Sequence, residues 1–175
     1  TELQKAEQRA EPELKPVQQY VEELVVKAKQ ASGKLASLST AIKNQALLAM
    51  AEALEAKTEE LLAANQKDLD AFGSSPARKA MADRLRLTEK RIAEMAAGIR
   101  EVAKLPDPVG MMPVMWTRPN GMQVGRIRVP IGVIGIIYES RPNVTADSAA
   151  LCLKSGNVCV LRGGSEAIHS NTTIA

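Results

Sequence analysis

Residues 130–145 carry the sequence PIGVIGIIYESRPNVT. The segment is almost wholly apolar up to Ile137, and residues 139–143 then introduce two charges, a proline and an asparagine. A strand that is apolar at consecutive positions is typical of a parallel sheet with helices on both faces. Residues 132–138 are therefore predicted to form a buried strand, and residues 139–143 the loop at its carboxyl end.

The segments that follow complete a βαβ unit. Residues 144–156 have a helical pattern, with Thr145 as a candidate cap and Gly156 placed to end the helix. Residues 157–162, NVCVLR, are again apolar at consecutive positions. Strands joined by such a helix run parallel with a right-handed crossover. Because two strands cannot bury both faces of a sheet, we expect the chain to be a fragment whose further strands come from elsewhere.

The part of the chain before this unit is predicted to be helical. Residues 1–15 are polar without an apolar stripe and are interpreted as a lead-in. From Pro16 onward, apolar residues recur at three- and four-residue steps, which indicates amphipathic helices. The predicted stripes are Val17, Tyr20, Val21, Leu24, Ala28, Ala31, Leu35 and Leu38 in the first helix, Ile42, Ala46, Met50 and Leu54 continuing to Leu61 and Leu62 in the second, and Ile92, Met95, Ala96, Ile99, Val102 and Ala103 in the last.

Caps and breaks bound these helices. Ser39 or Thr40 is the candidate cap of the second helix, and Thr88 is that of the last. Pro76 suits the first turn of a short helix between them. The prolines at 105–110 end the helical part, because proline lacks an amide donor and disfavours helix in the residue before it.

Residues 111–130 change to an extended pattern that is predicted to form an antiparallel ribbon. Asn120-Gly121 lies between its two halves and tolerates the positive backbone angles of a tight hairpin. Trp116 is expected to face an interface or solvent. The arginines of the ribbon are expected on one solvated face, and they are Arg118, Arg126 and Arg128.

Composition argues against several classes of function. The 175 residues carry a net charge of +3 with both signs interspersed, whereas a nucleic-acid-binding protein normally shows a basic stripe. No apolar run approaches the roughly 18 residues that cross a membrane, and the polar N-terminus has no secretory signal. Cys152 and Cys159 lie in apolar runs without metal-ligand spacing, so both are expected to be buried thiols. A cytoplasmic protein without metal, membrane or nucleic-acid partners is expected.

Two loops are expected at one edge of the sheet. Residues 139–143 follow the first strand, residues 162–166 follow the second, and ligands of open α/β sheets bind beyond the carboxyl ends of the strands. Both loops lead into helix N-termini, whose free amides and positive dipole attract anions. Gly163 and Gly164 would let a ligand approach the backbone. The pattern favours a phosphate-bearing ligand, and ordinary strand-to-helix turns are the alternative because no glycine-rich nucleotide fingerprint is present.

Two stretches of these loops are specific enough to indicate a family. They are YESRPNVT (138–145) and LRGGSEAIHSN (161–171), and in these the sequence resembles the gamma-glutamyl phosphate reductase family of the aldehyde dehydrogenase superfamily. The resemblance implies an α/β fold with N-terminal helices, an antiparallel β-ribbon and the start of a Rossmann-like parallel sheet. It also implies NADPH-dependent reduction of L-glutamyl 5-phosphate to L-glutamate 5-semialdehyde, with release of phosphate, in proline biosynthesis.

The resemblance also implies a division into domains and a missing nucleophile. The family's reaction proceeds through a thioester on a cysteine of a catalytic domain, which matches neither Cys152 nor Cys159. That domain is expected to be absent from this chain, which alone is expected to be inactive. The implied parts are the lead-in (1–15), the helical part of the cofactor domain (16–110), an oligomerisation-type ribbon (111–130) and the first βαβ unit of the NADP-binding domain (131–175).

Both loops acquire roles from the resemblance. Asn143 is expected either to donate to a developing oxyanion or to cap a helix. Arg141 is expected either to bind a phosphate or carboxylate or to form a surface ion pair. His169, the only histidine, is expected at the surface. The implied NADP(H) contacts near the nicotinamide are Tyr138, Glu139, Ser140, Arg141 and Pro142, and those around the adenosine ribose and its 2′-phosphate are Arg162, Gly163, Gly164, Ser165 and Glu166.

Two alternatives to this function stay open. One is a non-catalytic oligomerisation or binding module, and the other is a different aldehyde dehydrogenase-like reductase that acts on an acyl thioester. The expected partners are L-glutamyl 5-phosphate and further copies of the chain. A cysteine-bearing domain after Ala175 and a requirement for phosphate would distinguish the reductase of an acyl phosphate from both alternatives.

Overall fold

The structure is a computed structural model that describes the backbone of residues 2–73 and 79–175 and the side chains of residues 16–73 and 79–175. The predicted helix start at Pro76 lies outside the described residues. The helical part contains α1 (Glu2–Ala36), α2 (Thr40–Ala56), α3 (Thr58–Phe72), α4 (Lys79–Leu85) and α5 (Glu89–Lys104). The rest contains β1 (Val114–Thr117), β2 (Gln123–Arg126), β3 (Val133–Ile137), α6 (Asn143–Lys154), β4 (Val158–Arg162), a 3₁₀ turn (Ser165–Ala167) and α7 (Ile168–Ile174).

The core lies where α2 and α5 pack against each other and against α6. The stripe predicted for α5 is confirmed, because Ile92, Met95, Ala96, Ile99 and Ala103 are buried and Val102 packs on their cluster. The predicted caps Ser39 and Thr88 are also confirmed. The Ser39 hydroxyl accepts a hydrogen bond from the Ile42 amide at 3.4 Å, and the Thr88 hydroxyl accepts one from the Arg91 amide at 3.2 Å.

The stripe predicted for the second helix is confirmed in part, because Leu54 and Leu61 are buried and Met50 and Leu62 pack on the core, but a single helix and a buried Ile42 are not found. The chain breaks at Lys57 into two helices, α2 and α3. Ile42 is 50% exposed, and α2 buries Leu47, Ala51 and Leu54 together with Lys43. Apolar residues occur around much of α2, so spacing alone does not define its buried face.

A buried polar cluster explains why Lys43 lies inside. Its Nζ forms an ion pair with Asp107 at 2.5 Å and donates to the Lys154 carbonyl at 3.3 Å. The Nζ of Lys154 donates in turn to Asn44 Oδ1 at 2.6 Å and to the Ala103 carbonyl at 2.8 Å. Burial pushes the pKa of Asp107 up, but hydrogen bonds from Lys43, the Val109 amide and Thr40 hold that pKa below its ordinary value. The cluster joins α2, α6 and the loop after α5.

Helix α1 differs from its prediction at both its start and its face. It begins at Glu2 and not at Pro16, so helical backbone extends through the predicted lead-in. Of the predicted stripe only Ala28 is buried, whereas Val17 and Tyr20 are 57% and 66% exposed. The helix contacts β4 and β3. Its N-terminal apolar face has no cover among the residues that the structure describes.

The antiparallel ribbon is confirmed, with β1 and β2 paired from Val114–Arg126 to Thr117–Gln123. Gly121 has a φ of 82°, and its N–H donates to the Arg118 carbonyl at 2.9 Å. No other residue of the turn has a positive φ, so it is a type I turn followed by a glycine bulge and not a two-residue turn. The predicted arginines are exposed, but the expected one-sided burial is not found, because the apolar residues of β1 are exposed too.

The parallel pairing of β3 with β4 is confirmed, in a register from Val133–Val158 to Ile137–Arg162. Gly156 ends the crossover helix with a φ of 72°, as predicted. The predicted burial of the first strand is wrong for this chain, since Ile137 is 79% exposed and the rest of β3 is at most half-buried. Within the described part of the chain no third strand pairs with this sheet.

We expect Leu47→Ala to lower the free energy of unfolding by about 2–5 kcal/mol, because Leu47 is fully buried between α2 and α5. The neighbouring Leu48 is 44% exposed, so Leu48→Ala is the matched control and should change stability by about 0.5 kcal/mol or less. Urea unfolding measures both. Equal losses would show that α2 buries a different face.

Candidate functional site

The two predicted loops meet at the carboxyl ends of β3 and β4. The Tyr138 amide donates to the Arg162 carbonyl at 3.1 Å, which carries the strand pairing into both loops. In the first loop the side chains alternate, with Ser140 and Pro142 buried and Glu139 and Arg141 exposed. The backbone thus confirms the prediction that both loops lie at one edge of the sheet.

A buried hydrogen-bond chain fixes this edge. Thr145 Oγ1 donates to Asn171 Oδ1 at 3.1 Å, and the Tyr138 hydroxyl lies 2.6 Å from Thr145 Oγ1. Because a threonine hydroxyl has a single proton, Tyr138 must be the donor in its pair with Thr145. Thr145 is therefore not the helix cap that the sequence predicts. Pro142 occupies the cap position of α6 without a side-chain cap bond, and the hydroxyl of Thr145 joins the end of β3 to α7.

The two glycines of the second loop are required by the protein's own packing. A Cβ on Gly163 would overlap Asn171 Nδ2 and lie 3.2 Å from the Tyr138 hydroxyl oxygen. A Cβ on Gly164 would overlap the Glu166 carboxylate, which folds over it. Asn171 Nδ2 is a buried donor without a hydrogen-bond partner in the described chain. The glycines thus let Asn171 and Glu166 reach the loop backbone.

The start of α7 is held by a carboxylate from α3. Asp68 accepts from the amides of His169 and Ser170 at 3.0 Å and 2.7 Å, and from the Ser170 hydroxyl at 2.6 Å. The expectation that this helix N-terminus offers free amides to an anion is therefore wrong for His169 and Ser170, because a buried acidic residue already accepts from both amides. His169 itself is exposed, as predicted.

Asn65 supports the same arrangement one turn earlier in α3. Its amide donates to Ser170 Oγ at 3.0 Å and to the Leu85 carbonyl at 2.8 Å, and its Oδ1 accepts from the Leu87 amide at 2.8 Å. Sequence reasoning did not identify Asn65 or Asp68. The helical spacing could have indicated them, because both residues lie three or four positions from Leu61 or Ala64 on the buried face of α3.

The outer part of the second loop leaves polar groups available. Arg162 and Ser165 are exposed, and Glu166 is half-buried. Among the described residues, Arg162 has no ion-pair partner. A free guanidinium beside small residues and a carboxylate suits a phosphorylated ribose, because guanidinium binds phosphate and carboxylate accepts from ribose hydroxyls.

Arg141 and Asn143 face a separate cleft of about 360 Å³, which also contains side chains from α4, α5 and the loop between them. Asn143 Nδ2 donates to Asp147 Oδ2 at 3.2 Å, so Asn143 does not cap α6 and that alternative is wrong. Burial raises the pKa of Asp147, an effect that the Asn143 hydrogen bond partly offsets. Arg141 has no ion pair with any described residue, so its predicted surface-ion-pair alternative is not found.

Neither cysteine belongs to these loops. Cys152 is buried in α6 and Cys159 is half-buried in β4, and both are free thiols. Burial, reinforced by the neighbouring Cys159, raises the pKa of Cys152 to about 11, and burial raises that of Cys159 as well. Both side chains are therefore protonated at neutral pH, whereas a nucleophilic cysteine needs a stabilised thiolate.

The described residues contain no group of three or more His, Cys, Asp or Glu side chains arranged to hold a metal ion. No helix in the same ranges is long and apolar enough to cross a membrane.

Comparison with solved structures defines the class of protein. The fold matches a probable aldehyde dehydrogenase from Listeria monocytogenes with a TM-score of 0.62 at 17% identity, over 89% of this chain and 32% of that one. It matches gamma-glutamyl phosphate reductase from Thermotoga maritima with a TM-score of 0.81 at 44% identity, over 87% of this chain and 37% of that one. The corresponding yeast structure gives a TM-score of 0.78 at 29% identity, over 87% of this chain and 39% of that one. The chain has the aldehyde dehydrogenase fold.

Sequence comparison narrows the class to one family. The chain is 60% identical over 148 residues to gamma-glutamyl phosphate reductase of Moorella thermoacetica, which is 85% of this chain and 35% of that protein. It is also 60% identical over 149 residues to that of Syntrophomonas wolfei, 85% of this chain and 36% of that protein. No family model matches the sequence. The chain belongs to the gamma-glutamyl phosphate reductase family, corresponds to the N-terminal portion of its members, and spans little more than a third of the length of these relatives.

We expect Gly163→Ala to cost about 1–3 kcal/mol of folding free energy, because its Cβ would displace the Asn171 amide from the loop. Gly135→Ala in β3 is the matched control, since a Cβ there meets nothing within 4 Å and the backbone does not require glycine. Urea unfolding of both variants gives the comparison. A Gly163→Ala variant as stable as Gly135→Ala would contradict the packing assigned to this loop.

Proposed function

We propose that this chain forms the cofactor-binding side of an enzyme that reduces L-glutamyl 5-phosphate to L-glutamate 5-semialdehyde with NADPH and releases phosphate. The enzyme would act in proline biosynthesis, in the cytoplasm. The observation that carries the proposal is the pair of loops at one sheet edge, in a chain with 60% identity to proteins named for this reductase activity. One loop offers a free arginine beside small residues. The other directs an arginine and an amide into a polar cleft.

The residues of the second loop fit the adenosine end of NADPH. The guanidinium of Arg162 would bind the ribose 2′-phosphate, and the carboxylate of Glu166 would accept from a ribose hydroxyl. Gly163 and Ser165 present little side-chain bulk at the strand end. The dinucleotide, when bound, supplies the hydride for the reduction. Tyr138 would contribute by fixing the loop backbone through Thr145 and not by direct contact, since its hydroxyl is already engaged.

The residues of the first loop fit the reacting end. Asn143 uses one amide hydrogen for Asp147 and retains the other, which could donate to an oxygen that gains negative charge during reduction. Neither Cys152 nor Cys159 suits nucleophilic attack on an acyl phosphate, because burial raises the pKa of both thiols and keeps them protonated. We place the nucleophilic cysteine outside this chain, so the chain by itself should be inactive.

The ribbon supports a homo-oligomer. Met112, Val114, Met115 and Ile127 are each more than half exposed, and Trp116 is 38% exposed. Several exposed large apolar side chains on one short ribbon favour contact with another protein surface. We therefore propose that the ribbon contributes to self-association of the complete enzyme.

The complete enzyme should oxidise L-glutamate 5-semialdehyde with NADP⁺ only when inorganic phosphate is present, because phosphate is the acceptor in the reverse reaction. Oxidation independent of phosphate would favour an acyl thioester reductase instead. A complete reading frame without any cysteine-bearing domain, and without such activity, would favour the binding module.

For Arg162→Ala in the complete enzyme we expect NADPH to bind about 10-fold to 100-fold more weakly, the loss of one charge-assisted interaction. NADH affinity should change little, because NADH lacks the 2′-phosphate. Arg128→Ala, at an exposed ribbon position, is the control. Fluorescence titration measures both cofactors, and unchanged NADPH affinity would assign Arg162 to structure alone.

For Asn143→Ala we expect turnover to fall about 100-fold with little change in NADPH affinity, the pattern for loss of an oxyanion donor. Asn120→Ala in the ribbon turn serves as the control for loss of an asparagine at an exposed site. Steady-state kinetics in both directions test this. Normal turnover in the Asn143 variant would remove it from the catalytic residues.

A further inference from the structure

The cleft at the start of α6 has a charge pattern that the proposed NADPH contacts of Arg162 and Glu166 do not use. Its volume is about 360 Å³, and its lining includes Arg84, Arg86, Arg91, Arg141, Asn143 and Asp147. None of the residues of the second loop line it. The cleft is therefore distinct from the proposed ribose site but shares the first loop with the sheet edge.

Some of these charges are already neutralised within the protein. Arg91 donates to the carbonyls of Asp83 and Arg86 at 2.5 Å and 2.6 Å, and its guanidinium lies 3.4 Å from the Asp83 carboxylate. Glu94, which also lines the cleft, lies 3.9 Å from the ammonium of Lys90. The contacts of Arg91 tie the start of α5 to α4, whereas the Glu94–Lys90 pair is exposed and lies within α5. Together these two acidic and two basic side chains leave little net charge for a ligand.

The remaining charges are uncommitted. Arg84, Arg86 and Arg141 have no ion pair with any residue that the structure describes. Asp147 is half-buried, and its only described partner is the neutral amide of Asn143. Burial without a cation raises the pKa of Asp147, and an incoming cation would offset that effect. A ligand complementary to this cleft carries several negative charges and one positive charge.

From this pattern we infer that the cleft recognises the α-amino-acid end of the substrate, with Asp147 binding the α-ammonium group and Arg141 the α-carboxylate. The inference rests on the proposed function and assigns the substrate selectivity of that site. A guanidinium binds a carboxylate through two parallel hydrogen bonds, and a carboxylate is the natural partner of a primary ammonium. Arg84 and Arg86 keep the cleft positive towards the rest of an anionic substrate. Asn143 holds the Asp147 carboxylate in position.

The test uses the complete enzyme, NADP⁺, phosphate and three aldehydes. L-glutamate 5-semialdehyde has both groups of the amino-acid end, 5-oxopentanoate lacks the ammonium, and 4-aminobutanal lacks the carboxylate. The wild type should prefer the first over each of the others by about 10-fold or more in kcat/KM, since each missing charge leaves a partner unpaired. The preference should appear mainly in KM, as expected for groups that bind the substrate away from the reacting carbon.

Two variants assign the roles. Asp147→Asn should reduce the preference over 5-oxopentanoate to about 3-fold or less while keeping that over 4-aminobutanal, and Arg141→Ala should do the converse. Asp70→Asn and Arg126→Ala, at exposed positions, are the controls and should keep both preferences. NADPH affinity and far-UV circular dichroism establish that each variant is folded.

The outcomes separate this inference from the proposed function. If the wild type oxidises glutamate semialdehyde but Asp147→Asn slows all three aldehydes equally, the inference is overturned and the proposed function stands. If the wild type oxidises none of them, the proposed function fails and the inference fails with it. If selectivity changes as described, both are supported.

Discussion

The structure depends on one buried hydrogen-bond chain, from the Tyr138 hydroxyl through Thr145 to Asn171. It joins the end of β3, the first turn of α6 and the helix that follows β4. Gly163 belongs to the same arrangement, because only a residue without a side chain lets Asn171 lie against that loop. Inside a protein such hydrogen bonds are strong and their loss is costly, so the relative position of the two loops is fixed before any ligand arrives. A preformed pair of loops fits the dinucleotide site that we propose, because small-molecule sites are usually largely preformed.

The different roles that we propose for the two loops follow from the directions of their side chains. The second loop keeps Arg162 and Ser165 at the surface, and two amides of the helix behind it, those of His169 and Ser170, donate to Asp68. The anion binding that we propose there therefore relies on the arginine. The first loop points Arg141 and Asn143 into the cleft with the arginines of α4 and its following loop. In the proposed function, the cofactor and the substrate therefore bind to separate surfaces at the edge formed by the ends of β3 and β4.

Local features of this fold could be predicted from the sequence, and features that depend on distant partners could not. The ribbon, the parallel βαβ unit, the caps at Ser39 and Thr88 and the turn at Gly156 rest on nearby residues, and the structure confirms them. Lys43 was missed because its partner Asp107 lies more than sixty residues later, and a lysine is expected in solvent unless paired. The cap at Ser170 was missed because Asp68 lies 102 residues earlier. The loops were located correctly, but their separation into two surfaces depends on the packing of α5 against α6 and of α4 against α3, which the sequence does not reveal.

The most direct test is a crystal structure of the complete enzyme with NADPH bound. We expect the ribose 2′-phosphate within hydrogen-bond distance of the Arg162 guanidinium and the Tyr138–Thr145–Asn171 hydrogen bonds unchanged. The dinucleotide bound elsewhere on the enzyme, with the edge formed by β3 and β4 free of cofactor, would contradict the assignment.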